Sequence, residues 1–265
     1  MTVLKAILLG ILQGATEFLP VSSSGHLFLM QKILGFTGTE LAFDILLHLG
    51  TLLAILLFLR REILETFTSL FRRGPEYRLD AWGRRDLLLL VVASVPTGII
   101  GYFLHDVVEA GMSFRGVGIS YLVLTVFLLL SNLRFRHKLD PDRIDFWEAL
   151  AIGVMQGAAI FPGISRSGAT ISLALVLGIG AMRSAKFSFF ISIPAILGAA
   201  VLLLHRGASV LPGFAPSALG FLLAFVVGYL ALMLVEGLVT RGKFLRFAPY
   251  TFLLAVLAFY MQGCS

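Results

Sequence analysis

The chain of 265 residues is 58% hydrophobic, adds 27 glycines and carries only 14% charged residues, against about 45–50% apolar plus glycine and about 25% charged in soluble domains. That balance excludes a soluble globular domain, a disordered chain and a nucleic-acid binder. The net charge of +6 is what loop arginines setting membrane topology would give, and the single cysteine, Cys264, excludes an intrachain disulfide and is not placed as a prenylation box.

In chain order, the first apolar stretch, Val3–Gln31, is broken by Pro20-Val21-Ser22-Ser23-Ser24-Gly25. Lys5 is its only early positive charge and Glu17 falls in its apolar part, so it does not read as a cleaved signal peptide. Spans of membrane length follow at Leu41–Leu59, Leu87–Leu104 and Gly116–Leu133. A second broken stretch, Ala149–Ile179, carries Pro162-Gly163-Ile164-Ser165-Arg166-Ser167-Gly168. Phe187–Leu204, Ala218–Val235 and Phe247–Met261 complete the set. A lipid-facing helix cannot carry such breaks, because the freed backbone groups find no partner in hydrocarbon. Both broken stretches therefore read as re-entrant helix-turn-helix hairpins lining a cavity. The expected fold is an all-α integral membrane protein: six transmembrane helices plus two re-entrant hairpins.

Charge supports this division. The loops Arg60–Asp86, Arg134–Glu148, Gly180–Lys186 and Glu236–Arg246 hold sixteen of the 21 Lys and Arg residues. Six spans and two hairpins put all four loops on one side, which the positive-inside rule makes cytoplasmic. Lys5, Lys32, Arg115 and Arg206 fall at or near the other face, Arg166 falls inside a hairpin, and both termini face outward.

The two broken stretches also resemble each other. Gly10–Gly25 aligns without gaps on Gly153–Gly168, with eight of sixteen positions identical: Gly10/Gly153, Gln13/Gln156, Gly14/Gly157, Ala15/Ala158, Phe18/Phe161, Ser22/Ser165, Ser24/Ser167 and Gly25/Gly168. Three spans follow each hairpin, and an odd number inverts the second half. The chain reads as one membrane domain, 1–265, built from inverted repeats of approximately 1–133 and 147–265, with a pocket at their interface.

Ionisable residues inside apolar segments are candidates for function: Glu17, His26, Asp44, His48 and Arg166. Gln13 and Glu17 share one helix face. Hydroxyls follow at Ser22, Ser23 and Ser24, and the second turn brings Ser165, Ser167 and Thr170. Each turn ends where a short helix begins, and helix N-termini suit anions. The hydroxyls and a guanidinium fork are the donors that phosphate needs. The repeat divides labour: Glu17 pairs with Ile160, His26 with Ala169, and Ser23 with Arg166. Glu17 and His26 read as an acid/base pair and Arg166 as the anion clamp. His105, His137 and His205 are placed in loops without a role.

Gln13-x-x-x-Glu17-Phe-Leu-Pro-Val-Ser-Ser-Ser-Gly-His26 and Pro162-Gly-Ile-Ser-Arg-Ser-Gly-Ala-Thr170 closely resemble the paired signature motifs of the bacterial undecaprenyl-diphosphate phosphatases, the bacitracin-resistance family. The resemblance covers nearly the whole chain. It implies removal of the terminal phosphate of undecaprenyl diphosphate, regenerating the carrier lipid for cell-wall synthesis. It implies Glu17, His26, Ser23 and Arg166 as catalytic, with Ser22, Ser24, Ser165, Ser167, Thr170 and Gln13 holding phosphate. Many members have a second glutamate where this chain has Gln13, which cannot act as a base. The resemblance also implies a divalent cation, Mg²⁺ or Ca²⁺, for which Glu17 and Asp44 are the available carboxylates. The expected partners are the polyprenyl diphosphate and membrane lipid, not nucleic acid, and a homodimer is compatible with the reading. The expected location is the bacterial inner (plasma) membrane, with the active site open to the outer, periplasmic side. The rival reading is a polyprenyl-phosphate flippase, since inverted repeats around a midplane pocket are transporter architecture.

Overall fold

The computed structural model describes residues 1–36, 41–71, 82–110, 112–133, 143–205 and 211–264. Among them the regular structure is entirely helical. The basic stretches within 72–81 and 134–142, with His137, and Arg206 lie outside the described residues. The elements are α1 (Val3–Glu17), α2 (Ser23–Ile33), α3 (Leu41–Phe58), α4 (Arg60–Ser69), α5 (Arg84–Ala110), α6 (Phe114–Leu130), α7 (Phe146–Ala158), α8 (Arg166–Val176), α9 (Ala181–His205), α10 (Phe214–Thr240) and α11 (Ala248–Cys264). A 3₁₀ turn, Phe244–Phe247, leads into α11.

Among the described residues, five stretches are long and apolar enough to cross a membrane: Leu41–Phe58, Arg84–Val108, Ala181–Leu202, Phe214–Thr240 and Phe244–Gly263. The expected span at Gly116–Leu133 is the shorter helix α6, 17 residues, or about 25 Å at 1.5 Å per residue. One face of α5 leaves Leu88, Val91, Val95, Ile99 and Phe103 exposed, an apolar stripe at helical spacing that suits lipid rather than water. The stretch after α3 is not simply a loop. It continues into α4, which turns Ile63 and Thr66 inward while Leu64 and Phe67 are exposed. Its Glu62 pairs with Lys186 of α9 at 2.5 Å, and Arg183 pairs with Asp86 at the start of α5.

Both broken stretches form helix–turn–helix units. Their first helices pack in the same way. A Cβ on Gly10 would lie 2.6 Å from the Gly220 carbonyl of α10, and one on Gly14 would lie 2.8 Å from Ala224 O. Gly153 meets the Ala93 backbone of α5, and Gly157 meets Ile100. Small residues four apart let helix backbones touch, and in lipid such packing replaces hydrophobic burial as the source of association. The pairs α1–α10, α5–α7, α6–α11 and α3–α10 are the most extensive contacts in the bundle.

Serines start both second helices. Ser22 caps α2 by accepting from Gly25 N at 3.3 Å, and Ser165 caps α8 by accepting from Gly168 N at 3.1 Å. The two turns are stitched together. Gly163, at φ +103°, donates its N–H to Ser22 Oγ at 3.1 Å. Ser165 and Ser167 each donate to Leu19 O at 3.2 Å.

Candidate active site

Glu17, the last residue of α1, is the hub of the site. Its carboxylate lies beside the second turn, where Arg166 begins α8. Arg166 Nη2 donates to Glu17 Oε1 at 2.6 Å. The other oxygen, Oε2, accepts from Ser23 Oγ at 2.5 Å and from Gln13 Nε2 at 2.9 Å. His48 of α3 brings Nε2 to 3.6 Å from the same oxygen. Its Nδ1 lies 2.7 Å from Asp44 O. If Nδ1 carries the proton and donates to that carbonyl, Nε2 faces Glu17 with a lone pair. The Glu17 side chain is 5% exposed, so the pair with Arg166 is the bond that permits its burial.

These groups open onto one cavity of about 680 Å³. Glu17, Ser22, Ser23, Ser24, Ser165 and Arg166 lie in its wall, with Asp44, His48 and Gln156. The cavity continues between α5 and α9 past Gly98, Gly101 and Pro194 to His105 and His205. Those two histidines therefore lie in helices and line the cavity rather than sitting in loops. Local geometry aims the hydroxyls. Ser22 is the only described residue other than glycine with a positive φ, at 65°, a region that costs a non-glycine residue of order 1 kcal/mol or more. That turn points Ser23 back at Glu17.

The structure does not bring every expected site residue to Glu17. His26 leaves in another direction. Its Nδ1 lies 2.7 Å from Ser22 O, its Nε2 lies 2.7 Å from the Tyr250 hydroxyl of α11, and the Tyr121 hydroxyl of α6 is 3.1 Å from Nδ1. The ring stacks on Tyr250 with centroids 5.8 Å apart. It is thus built into the support of the strained Ser22 turn. Thr170 bonds Arg166 O at 2.8 Å and Ser188 Oγ at 2.6 Å, below the turn. Ser167 and Gln13 also face protein rather than the cavity wall.

Sequence reasoning named His48 as a candidate without assigning it a chemical role, and it did not single out Tyr250, Tyr121 or Gln156. Only Gln156 carried a signal, as the repeat partner of Gln13. It donates from Nε2 to Thr97 Oγ1 at 3.1 Å and to Ile191 O at 3.2 Å, tying α7 to α5 and α9.

The carboxylates do not make a divalent-cation cage. Both Glu17 oxygens are taken by Arg166, Ser23 and Gln13, and Asp44 accepts Gln31 Nε2 at 2.8 and 3.0 Å. Among the described residues no group of three or more His, Cys, Asp or Glu side chains comes together to hold a metal. Mg²⁺ is commonly held through one or two carboxylates plus substrate phosphates rather than by an all-protein cage, and in the ligand-free fold the Glu17 and Asp44 oxygens are engaged by protein donors.

The fold and site together define a helical, multi-span membrane protein with a carboxylate, a guanidinium and a ring of hydroxyls facing one cavity. The chain belongs to the bacitracin resistance protein BacA family, whose model matches residues 6–257. It is similar to a protein named undecaprenyl-diphosphatase from Desulfosudis oleivorans, 42% identical over 263 residues and 95% of each chain. Proteins of the same name from Carboxydothermus hydrogenoformans, 40% identical over 98% of each chain, and Methanosphaera stadtmanae, 36% identical over 96% of each chain, are similar along their full lengths.

Proposed function

We propose that the chain is an undecaprenyl-diphosphatase of the bacterial plasma membrane, releasing the terminal phosphate and regenerating undecaprenyl phosphate for cell-wall synthesis. That activity gives the family's bacitracin resistance. The observation that carries this reading is Glu17 held between the Ser23 hydroxyl and the Arg166 fork in a single cavity.

Phosphoryl transfer needs positioning and charge neutralisation above all. One Nη of Arg166 holds Glu17, and the remaining N–H donors of the fork face the diphosphate. The Ser22 and Ser24 hydroxyls and the N-termini of α2 and α8 complete the cradle, and Ser165 caps α8. Ser23 Oγ attacks the terminal phosphorus while its proton passes to Glu17 Oε2. The new O–P bond forms as the bridging P–O bond breaks, and polyprenyl monophosphate leaves with the electron pair and takes the proton from Glu17. Water then attacks the phosphoserine, its proton goes to Glu17, and Ser23 Oγ is reprotonated as phosphate departs. His26 holds the Ser22 turn that aims the nucleophile.

The architecture in this reading is six spans with two re-entrant hairpins in inverted repeats. Matching glycine contacts of α1 on α10 and α7 on α5 support the repeat. The basic loops then lie in the cytoplasm, both termini lie outside, and the cavity opens to the outer side past His105 and His205. In this reading the groups named above all come from one chain. Phosphate release from undecaprenyl diphosphate by purified protein in detergent tests the proposal. Transport alone, the flippase reading, gives no phosphate there, and Ser23→Ala should abolish release in the hydrolase.

A further inference from the structure

A second cavity of about 700 Å³ lies against the first. Ser94, Gly98 and Pro194 belong to the walls of both. Beyond that junction the lining is almost wholly apolar, with Leu56 of α3, Ile63 and Phe67 of α4, Val91 of α5 and Phe190 of α9 among its residues. It therefore runs from the reacting groups toward the end of the bundle that carries Arg60 and Arg84, away from the mouth at His105. Leu56, Phe67 and Val91 are themselves exposed, so this groove is open along its length to lipid.

The junction is a gap and not a packed seam. A Cβ on Gly98 would meet nothing within 4 Å, and neither would one on Gly198. Pro96 lies inside α5 and Pro194 inside α9, and each removes one backbone donor from its helix. The seam between α3 and α10 is the opposite. A Cβ on Gly50 would lie 2.7 Å from Phe221 O, and one on Gly220 would lie 2.6 Å from the Phe43 ring. An acyl chain can pass between α5 and α9 and cannot pass between α3 and α10.

We propose that the polyprenyl chain of the substrate leaves the phosphate cavity at Gly98 and lies in the groove between α4, α5 and α9. This rests on the diphosphatase reading. A groove of about 700 Å³ is within the size of sites that enclose small ligands, so it takes the first isoprene units and leaves the remainder in the bilayer. Lipid is as apolar as the groove, so burial supplies little transfer energy. The groove fixes the direction from which the diphosphate meets Ser23 and Arg166.

The test compares undecaprenyl diphosphate with farnesyl diphosphate, whose chain is much shorter, by phosphate release in detergent. Gly98→Phe fills the junction. Val91→Trp alters only the second groove and touches no group of the phosphate cavity. Each should lower the ratio of long-chain to short-chain kcat/KM by about tenfold or more, since a misplacement of the reacting groups by about 1 Å costs up to about 10²-fold. Gly237→Phe, on α10 where a Cβ also meets nothing within 4 Å, should leave the ratio unchanged. A ratio within twofold of wild type in Val91→Trp overturns the proposal while leaving the diphosphatase intact, and it decides the matter even where Gly98→Phe does not fold. Absence of phosphate release from both substrates by the wild-type protein sinks the diphosphatase reading itself.

Discussion

Removing Arg166 is the sharpest perturbation the site offers. The guanidinium has two tasks, and the structure separates them. Nη2 is fixed on Glu17 Oε1 at 2.6 Å, which leaves the other N–H groups for the diphosphate. Charge-assisted hydrogen bonds contribute roughly 1.5–3 kcal/mol each. Loss of two to the phosphate in Arg166→Ala raises the barrier by roughly 3–6 kcal/mol, or a fall in kcat/KM of about 10²–10⁴-fold. The same change leaves the Glu17 carboxylate buried beside Ser23 and Gln13 without its counter-charge, and breaking such a pair costs about 3–5 kcal/mol of stability. Both effects are measurable: phosphate release in detergent for the first, thermal unfolding for the second. Arg166→Lys keeps one positive charge but offers a point in place of a fork. It should restore most of the stability and only part of the rate. A folded Arg166→Ala protein with wild-type turnover would refute the placement of the phosphate at this guanidinium, and full activity in Arg166→Lys would refute recognition by two bonds.

Glu17→Gln should abolish turnover in a folded protein, because an amide cannot accept the Ser23 proton, whereas Gln13→Ala should cost no more than about tenfold for the loss of one neutral hydrogen bond; steady-state phosphate release separates the two. His48→Gln should lower kcat about tenfold with little change in KM if the imidazole supports Glu17 rather than the lipid, and an unchanged kcat removes His48 from the site. The ligand-free protein should melt within about 1 °C in Mg²⁺ and in a chelator, since the carboxylates form no cage; a clear rise in Mg²⁺ refutes that. A membrane-impermeant thiol reagent should label Cys264 in intact spheroplasts, and labelling only after permeabilisation overturns the orientation.

The broken stretches were legible because Pro, Gly and Ser runs inside apolar sequence have one physical solution, a turn sheltered by protein. The similarity of the two turns pointed to a pocket at the interface of the halves, and the Glu17–Arg166 pair lies in the wall of such a cavity. The partners of His26 were hidden because they arrive from α6 and α11, more than ninety residues away, on helices whose tyrosines look like ordinary membrane-helix residues. His26 and Glu17 sit on opposite sides of a turn whose positive φ at Ser22 no residue type announces. His48 lay four residues from Asp44 on α3, and sequence spacing alone could not say which of the two would face Glu17. The helix α4 was read as loop because Arg60, Arg61, Glu62 and Glu65 dominate it. Its inward face is only Ile63 and Thr66, too narrow a stripe to stand out among charges.

The two turns explain how one scaffold came to hold opposite charges. Gly10 and Gly14 perform for α1 what Gly153 and Gly157 perform for α7, and Ser22 caps α2 as Ser165 caps α8. These matched positions set backbone geometry, so they tolerate no divergence without moving a helix. Glu17 against Ile160 and Ser23 against Arg166 do not set the backbone, and there the halves differ. Had both turns carried Glu, two carboxylates would repel across the few ångströms that now separate Glu17 from Arg166. Had both carried Arg, neither would supply a base. With one of each, the buried ion pair holds the turns together in the free protein. In the proposed mechanism one Nη of the fork stays on Glu17 while its other N–H groups meet the diphosphate beside the base. The proposed chemistry thus follows from divergence at positions that leave the matched backbone of the two turns unchanged.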